Sequence, residues 1–217
     1  MFEIGTKKEQ TDEESMIKFQ DGDAGAFDVL LHRHSAGVLR FIMKILRVSN
    51  SQAEDLLQEV FLKVIEHRKK YDSKQKFTTW LYALARNRCI DYLRVEKYRR
   101  HTSLDASLSI EEGDGYAVID IVKSNERNQE DRAMDKEIRK MLDKGVRDLK
   151  GEYREVFLLR EVEGLSLKEV ADIVEAPLST VKSRLRYAYQ NLREVFIKAG
   201  HFEEGQKQRA KEVRGQI

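Results

Sequence analysis

The chain has very little of what interrupts or staples a backbone. One proline in 217 residues leaves long segments free to be helical, and 36% of the residues carry charge, a composition that suits solvated helices and argues against an all-β sandwich. A single cysteine, Cys89, excludes an internal disulfide and cannot by itself hold a structural zinc, in keeping with a reducing compartment. No run approaches the ~18 consecutive apolar residues of a bilayer span, and the opening MFEIGTKKEQTDEES has no apolar core of the signal-peptide kind. The expectation is a cytoplasmic protein without membrane insertion. The signatures GxxxxGK(S/T), HExxH, GxSxG, GxGxxG and paired CxxC are missing as well, and the carboxylates fall on polar helix faces or in a polar tract rather than as a buried pair. His32 and His34, two apart on a helix, point away from each other, which argues against a metal site there. No catalytic role and no cofactor are expected.

What is present is segregated charge. The formal net charge is only +2, but residues 86–100 hold six Lys or Arg against Asp91 and Glu96, residues 102–131 hold eight acids against Lys123 and Arg127, and residues 178–192 hold three bases and no acid. Two basic tracts therefore flank an acidic one.

Apolar periodicity then divides the chain. Phe27, Leu30, Leu31, Val38, Phe41, Ile42, Ile45 and Leu46 recur at three- and four-residue steps, as a helix burying one stripe requires. A second helix is expected behind a capping box of Ser51 and Glu54, with Ala53, Leu56, Leu57, Val60, Phe61, Val64 and Ile65 inward and Glu54, Asp55, Gln58, Glu59 and Lys63 outward. A third begins near Thr78 or Thr79, carries Leu81, Leu84, Ala85 and Arg88 on one side and runs into the basic tract. Residues 101–130 lose periodicity and become rich in Ser, Gly and acids, which predicts a flexible acidic linker with one short docked piece at residues 116–122. Residues 131–197 resume the helical pattern: Met134, Ile138, Met141, Leu142 and Val146 form one stripe, and Tyr153, Val156, Phe157 and Arg160 begin another. A second capping box, Ser166 with Glu169, opens a short helix that must stop before Pro177. A longer helix from Ser179 or Thr180 turns Val181, Leu185, Ala188 and Leu192 inward and Lys182, Ser183, Arg184 and Arg186 mostly outward.

A short helix, a turn and a longer helix with basic and hydroxyl side chains in its first turns has the layout of a helix-turn-helix. Such a helix fits the major groove and offers N–H groups and cations to phosphates and Ser, Thr and Arg to base edges. The same pattern also describes an ordinary helical hairpin with a solvated basic face. The tract at residues 86–100 has two readings too: Lys and Arg suit any helix C-terminus, whereas interleaved Phe77, Trp80, Tyr82, Tyr92 and Tyr98 would suit unpaired bases. Tyr71 and Phe77, bracketing the loop, are the better stacking candidates, and Trp80 with Leu84 fits a core position better. The face of Glu54, Asp55, Gln58 and Glu59 reads by default as solvated, or as an acidic rim that guides a basic protein partner.

Three segments in order, AEDLLQEVFLKV (53–64), FTTWLYALARNRCIDYLR (77–94) and LSLKEVADIVEAPLSTVKSRLRYAYQNLRE (165–194), around an acidic linker, resemble a bacterial extracytoplasmic-function (ECF) sigma factor of the sigma-70 family. The resemblance spans nearly all of residues 13–196. It implies an all-α fold of two helical domains, a region 2 bundle (13–100) and a region 4 helix-turn-helix (131–197), joined by the linker and flanked by an N-terminal tail (1–12) and a C-terminal extension (198–217). It implies a subunit that joins core RNA polymerase and directs promoter-specific initiation. Glu54, Asp55, Gln58, Glu59 and Phe61 would then meet the β′ clamp helices, with region 4 near the β flap. Lys74, Lys76, Phe77, Trp80, Asn87, Arg88, Asp91 and Arg94 would read and trap minus-10 DNA in single-stranded form. Pro177, Ser179, Thr180, Lys182, Ser183, Arg184 and Arg186 would meet the minus-35 duplex. Family habit adds an anti-sigma factor as a partner.

The chain departs from the family pattern at the helix-turn-helix turn, where Glu175 stands at a position often held by glycine and is strained if φ is positive there. Ser179, another position often held by glycine, is an N-cap candidate.

Overall fold

The computed structural model describes residues 10–102 and 129–200, and among them all regular structure is helical. By proximity the described residues form two compact units, one of residues 10–102 with 168–176 and one of residues 129–167 with 177–200. The expected docked piece at 116–122 and the extension beyond residue 200 lie outside the described residues.

In the first unit, helix α1 (Asp12–Gln20) opens on a capping box in which the Thr11 hydroxyl accepts from the Glu14 N–H and the Glu14 carboxylate accepts from the Thr11 N–H. Helix α2 (Ala24–Leu46) is capped by Asp23 and closes at Arg47, a left-handed residue with φ 57° whose N–H reaches the Met43 carbonyl. Helix α3 (Asn50–His67) starts on a capping box of Ser49 and Gln52, two residues ahead of the predicted Ser51 and Glu54. Both pairs have the right spacing. Ala53 is buried in the first turns and Glu54 faces outward.

A 3-10 turn (Arg68–Lys70) and a short loop lead to helix α4 (Phe77–Thr102), which begins at Phe77 rather than at Thr78 or Thr79. The four helices close around Met16, Leu30, Val38, Phe41, Ile42, Val60, Val64, Phe77 and Leu81, all essentially without exposure. Aromatic edges lock the layers: Phe27 lies 4.8 Å from Phe19 and 6.2 Å from Phe61 between ring centroids, and Phe41 meets Tyr82 edge-on at 5.5 Å.

The second unit packs helix α5 (Gln129–Asp148), helix α6 (Gly151–Phe157) with its π-helical continuation (Leu158–Val162), and helix α8 (Leu178–Lys198). Gly145 lets α5 approach α8: a Cβ there would lie 2.8 Å from Leu192 Cδ2. Arg154 is buried and donates to the Arg147 and Leu149 carbonyls, satisfying groups that the end of α5 leaves without helical partners. Helix α7 (Leu167–Val174), nearly all of which is counted with the first unit, starts directly after Ser166 as expected and buries Val170, Ala171, Ile173 and Val174. It stops before Pro177 through Glu175, which has φ 52°, so a glutamate does occupy the left-handed position. Pro177 is the N-cap of α8, and its carbonyl accepts from Thr180 and Val181. Ser179 is therefore not the cap; it sits exposed in the first turn.

Candidate functional site

Three polar surfaces emerge from these helices. On α3 the i, i+3, i+4 spacing that buries Ala53, Leu56, Val60 and Val64 turns Glu54, Asp55, Gln58 and Glu59 to solvent. Phe61, predicted with them, is 4% exposed and packs against Phe27, so it supports the face from behind. The residue that joins the acidic rim instead is Leu62, 56% exposed and in line with Asp55, Gln58 and Glu59. It was legible in principle as an apolar residue on the polar side of the stripe.

The second surface is the loop before α4 and the outer side of that helix. Lys74 and Lys76 are exposed, and the loop is folded tightly: the Asp72 carboxylate accepts from the Lys74 N–H at 3.0 Å and the Asp72 carbonyl from the Gln75 N–H at 2.9 Å. Tyr71 and Phe77, expected as stacking platforms, are 5% and 0% exposed. Their rings turn inward and pack against each other at 6.1 Å, with Phe77 also 5.4 Å from the His34 ring. The Tyr71 hydroxyl donates to the Gln75 carbonyl at 2.6 Å, and the Phe77 N–H donates to the Glu13 carboxylate at 3.0 Å. Burial, with nearby Glu13 and Asp12 adding to it, pushes the Tyr71 hydroxyl up to about 12. Trp80 is half-buried, 5.2 Å from the Tyr71 ring and 6.2 Å from that of Phe77, so it is the aromatic of this trio that reaches the surface.

Farther along α4, Asn87 is exposed and Asp91 pairs with Arg94 at 3.2 Å. Arg88 grips Glu59 of α3 through Nε and, at 3.0 Å, through Nη2. This bidentate hydrogen bond holds the Glu59 carboxyl below its ordinary range. Two residues assigned by sequence to different surfaces are thus direct neighbours.

The third surface is the start of α8. Val181, Leu185, Ala188 and Leu192 are buried, while Pro177, Ser179, Lys182 and Arg186 are exposed and Thr180, Ser183 and Arg184 half-buried. The Ser183 hydroxyl donates to the Thr180 carbonyl at 2.9 Å, Arg184 pairs with Glu152 at 3.3 Å, and Arg186 lies over the Tyr187 ring at 5.6 Å. Tyr187 and Tyr189, to which no motif in the sequence pointed, are both nearly half exposed. Tyr187 stacks on Tyr153 at 5.6 Å, and the Tyr189 hydroxyl, pushed up by burial and by Glu161, donates to that carboxylate at 2.6 Å.

Among the described residues no cluster of three or more His, Cys, Asp or Glu side chains could hold a metal ion, and no helix is long and apolar enough to cross a membrane. His34 is drawn to Asp12 at 2.8 Å instead.

Residues 30–99 match sigma-70 region 2, and residues 139–192 match sigma-70 region 4. Over 177 residues the chain is 30% identical to the ECF RNA polymerase sigma-E factor of Escherichia coli K12, covering 81% of this chain and 88% of that protein. The sigma-E factor of Haemophilus influenzae is 28% identical over 175 residues, with 81% and 89% covered. Two solved structures share the fold, each with a TM-score of 0.59: CnrH in complex with the cytosolic domain of CnrY, at 17% identity with 87% of this chain and 99% of that one covered, and the sigma factor RpoE in complex with the anti-sigma factor NepR from Bartonella quintana, at 19% identity with 78% and 96% covered. The chain belongs to the ECF branch of the sigma-70 family, and is a promoter-recognising initiation factor of RNA polymerase.

Proposed function

We propose that the three surfaces divide the work of initiation among them. Glu54, Asp55, Gln58 and Glu59, now with Leu62, meet the β′ clamp helices of core polymerase. An acidic rim around one exposed leucine suits a basic helical partner, with charge guiding encounter and the apolar contact adding affinity. Lys74, Lys76, Trp80, Asn87, Arg88, Asp91 and Arg94 hold the minus-10 element. Phe77 acts there from inside the core, as the floor under Trp80. Melting traps an unstacked base at a cost of a few kcal/mol, offset by pocket contacts and by polymerase. Pro177, Ser179, Thr180, Lys182, Ser183, Arg184 and Arg186 enter the minus-35 major groove, with region 4 held at the β flap.

The observation that supports this reading most directly is the sidedness of α8. Its apolar positions are buried, and its exposed face over the first three turns carries cations and hydroxyls and no acid. Residues 13–100 and 131–197 act as separate modules, and the acidic segment 101–130 between them lies in the polymerase channel. Each module binds weakly alone and becomes specific when polymerase fixes their spacing. The protein works in the cytoplasm, is not itself a catalyst, and is held in check by an anti-sigma factor.

The direct test is run-off transcription with purified bacterial core and genomic promoter fragments. Transcripts initiating at defined sites only when the chain is added support the reading; none above core alone on any fragment overturns it.

A further inference from the structure

Helix α1 lies ahead of residues 30–99, the stretch that matches region 2, and none of its side chains is among those given above to polymerase or DNA. Two of its side chains, seven residues and therefore about 10 Å apart along one face, hold the two ends of the 71–76 loop. At one end the Glu13 carboxylate accepts the Phe77 N–H at 3.0 Å. At the other, Gln20 Nε2 donates to the Arg68 carbonyl at 2.6 Å and the Tyr71 carbonyl at 3.0 Å.

Helix α1 is itself well anchored. The Thr11 and Glu14 capping box fixes its start, Arg33 and His34 of α2 both hold Asp12, and Ser15 and Met16 are fully buried. Burial pushes the Asp12 carboxyl up, but the hydrogen bonds from His34 and Arg33 outweigh it and leave the group below its ordinary value, ionised and paired.

Phe77 is the first residue of α4, and its N–H has no partner within that helix. A carboxylate at this point satisfies the donor and suits the positive end of the helix dipole. Glu13 thereby sets where α4 starts, and with it the register of Trp80, Asn87, Arg88 and Arg94. Tyr71, held at its carbonyl by Gln20, passes the constraint inward through its own hydroxyl to Gln75.

We propose that α1 is the template of the 71–76 loop and that Glu13 is a positioning residue for capture of single-stranded promoter DNA. The inference rests on the minus-10 reading given above. Without the Glu13 bond the loop spends part of its time in other conformations, and the apparent affinity falls by the fraction of time the competent one is lost.

The test uses holoenzyme assembled from the full chain and bacterial core. The probe is a fork-junction DNA whose unpaired strand was selected from a randomised pool by wild-type holoenzyme. Glu13→Ala is expected to weaken binding roughly three- to tenfold, the worth of about one hydrogen bond, with affinity for core unchanged. Glu13→Gln, whose amide oxygen can accept the same N–H, is expected to keep most of the binding. Three results overturn the proposal: Glu13→Ala binding like wild type, a parallel loss of core affinity that marks a general scaffold role, or Glu13→Gln as defective as Glu13→Ala. If Glu13→Ala does not fold, Gln20→Ala decides, with the same selective loss expected and unchanged binding overturning the idea. A wild-type holoenzyme that selects no unpaired sequence refutes the minus-10 reading itself, and the inference with it.

Discussion

Arg88 and Glu59, twenty-nine residues apart, form a bidentate ion pair that ties the outer side of α4 to the acidic rim of α3. The pair joins the surface assigned to DNA with the surface assigned to polymerase.

The energetic consequence of that pair is small and has a definite sign. Nearly half of the Glu59 side chain is exposed, so a double-mutant cycle of Glu59→Gln and Arg88→Ala should give a coupling of only about 0.2–1 kcal/mol. Because the folded Glu59 carboxyl lies below its ordinary value of 4.5, its stabilisation is present above that pH and is lost as pH falls through the lower folded value. In denaturant titrations the difference between wild type and Glu59→Gln should be largest above pH 4.5 and shrink as pH falls below it. A constant difference across that range would refute the assignment.

Phe61 and Leu62 are adjacent in sequence and opposite in role. Phe61→Ala empties a core position and should cost about 3–5 kcal/mol in thermal or chemical unfolding. Leu62→Ala should change stability by less than about 0.5 kcal/mol yet weaken binding to core polymerase by more than about 1 kcal/mol. Equal effects on stability would place both residues in the core.

Glu175 holds a left-handed conformation with a side chain that opposes it. Glu175→Gly should therefore stabilise the folded chain by about 1 kcal/mol, visible as a rise in the unfolding midpoint. An unchanged or lower midpoint would mean that the glutamate has compensating contacts.

Arg186 is exposed over Tyr187, while Arg184 is engaged by Glu152. In holoenzyme, Arg186→Ala should cost about 1–3 kcal/mol with relaxed specificity at one base pair if it reads a base, or flatten the dependence of log K on log salt by about one unit if it meets phosphate. Neither effect appearing would remove Arg186 from the minus-35 interface.

The helical stripes, the stop before Pro177 and the outward Lys182 and Arg186 were all legible, because each follows from residues within one or two turns of one another. The rings of Tyr71 and Phe77 were not. In sequence they bracket a polar loop and look exposed; in the fold, groups on α1, more than fifty residues upstream, draw the backbone of that loop inward. The α3 cap moved for a milder reason: Ser49 with Gln52 and Ser51 with Glu54 satisfy the same spacing rule, and the chain uses the earlier pair.

Sequence alone determined that this chain is helical, charge-segregated and carries a late helix with a basic outward face, since periodicity and charge are local properties of the chain. Tertiary structure decided which aromatic rings face solvent, that Leu62 rather than Phe61 joins the acidic rim, that Glu59 belongs with Arg88, and that Glu13 accepts the first N–H of α4. Each of these depends on which distant groups meet when the apolar stripes are buried together, and no local pattern encodes that.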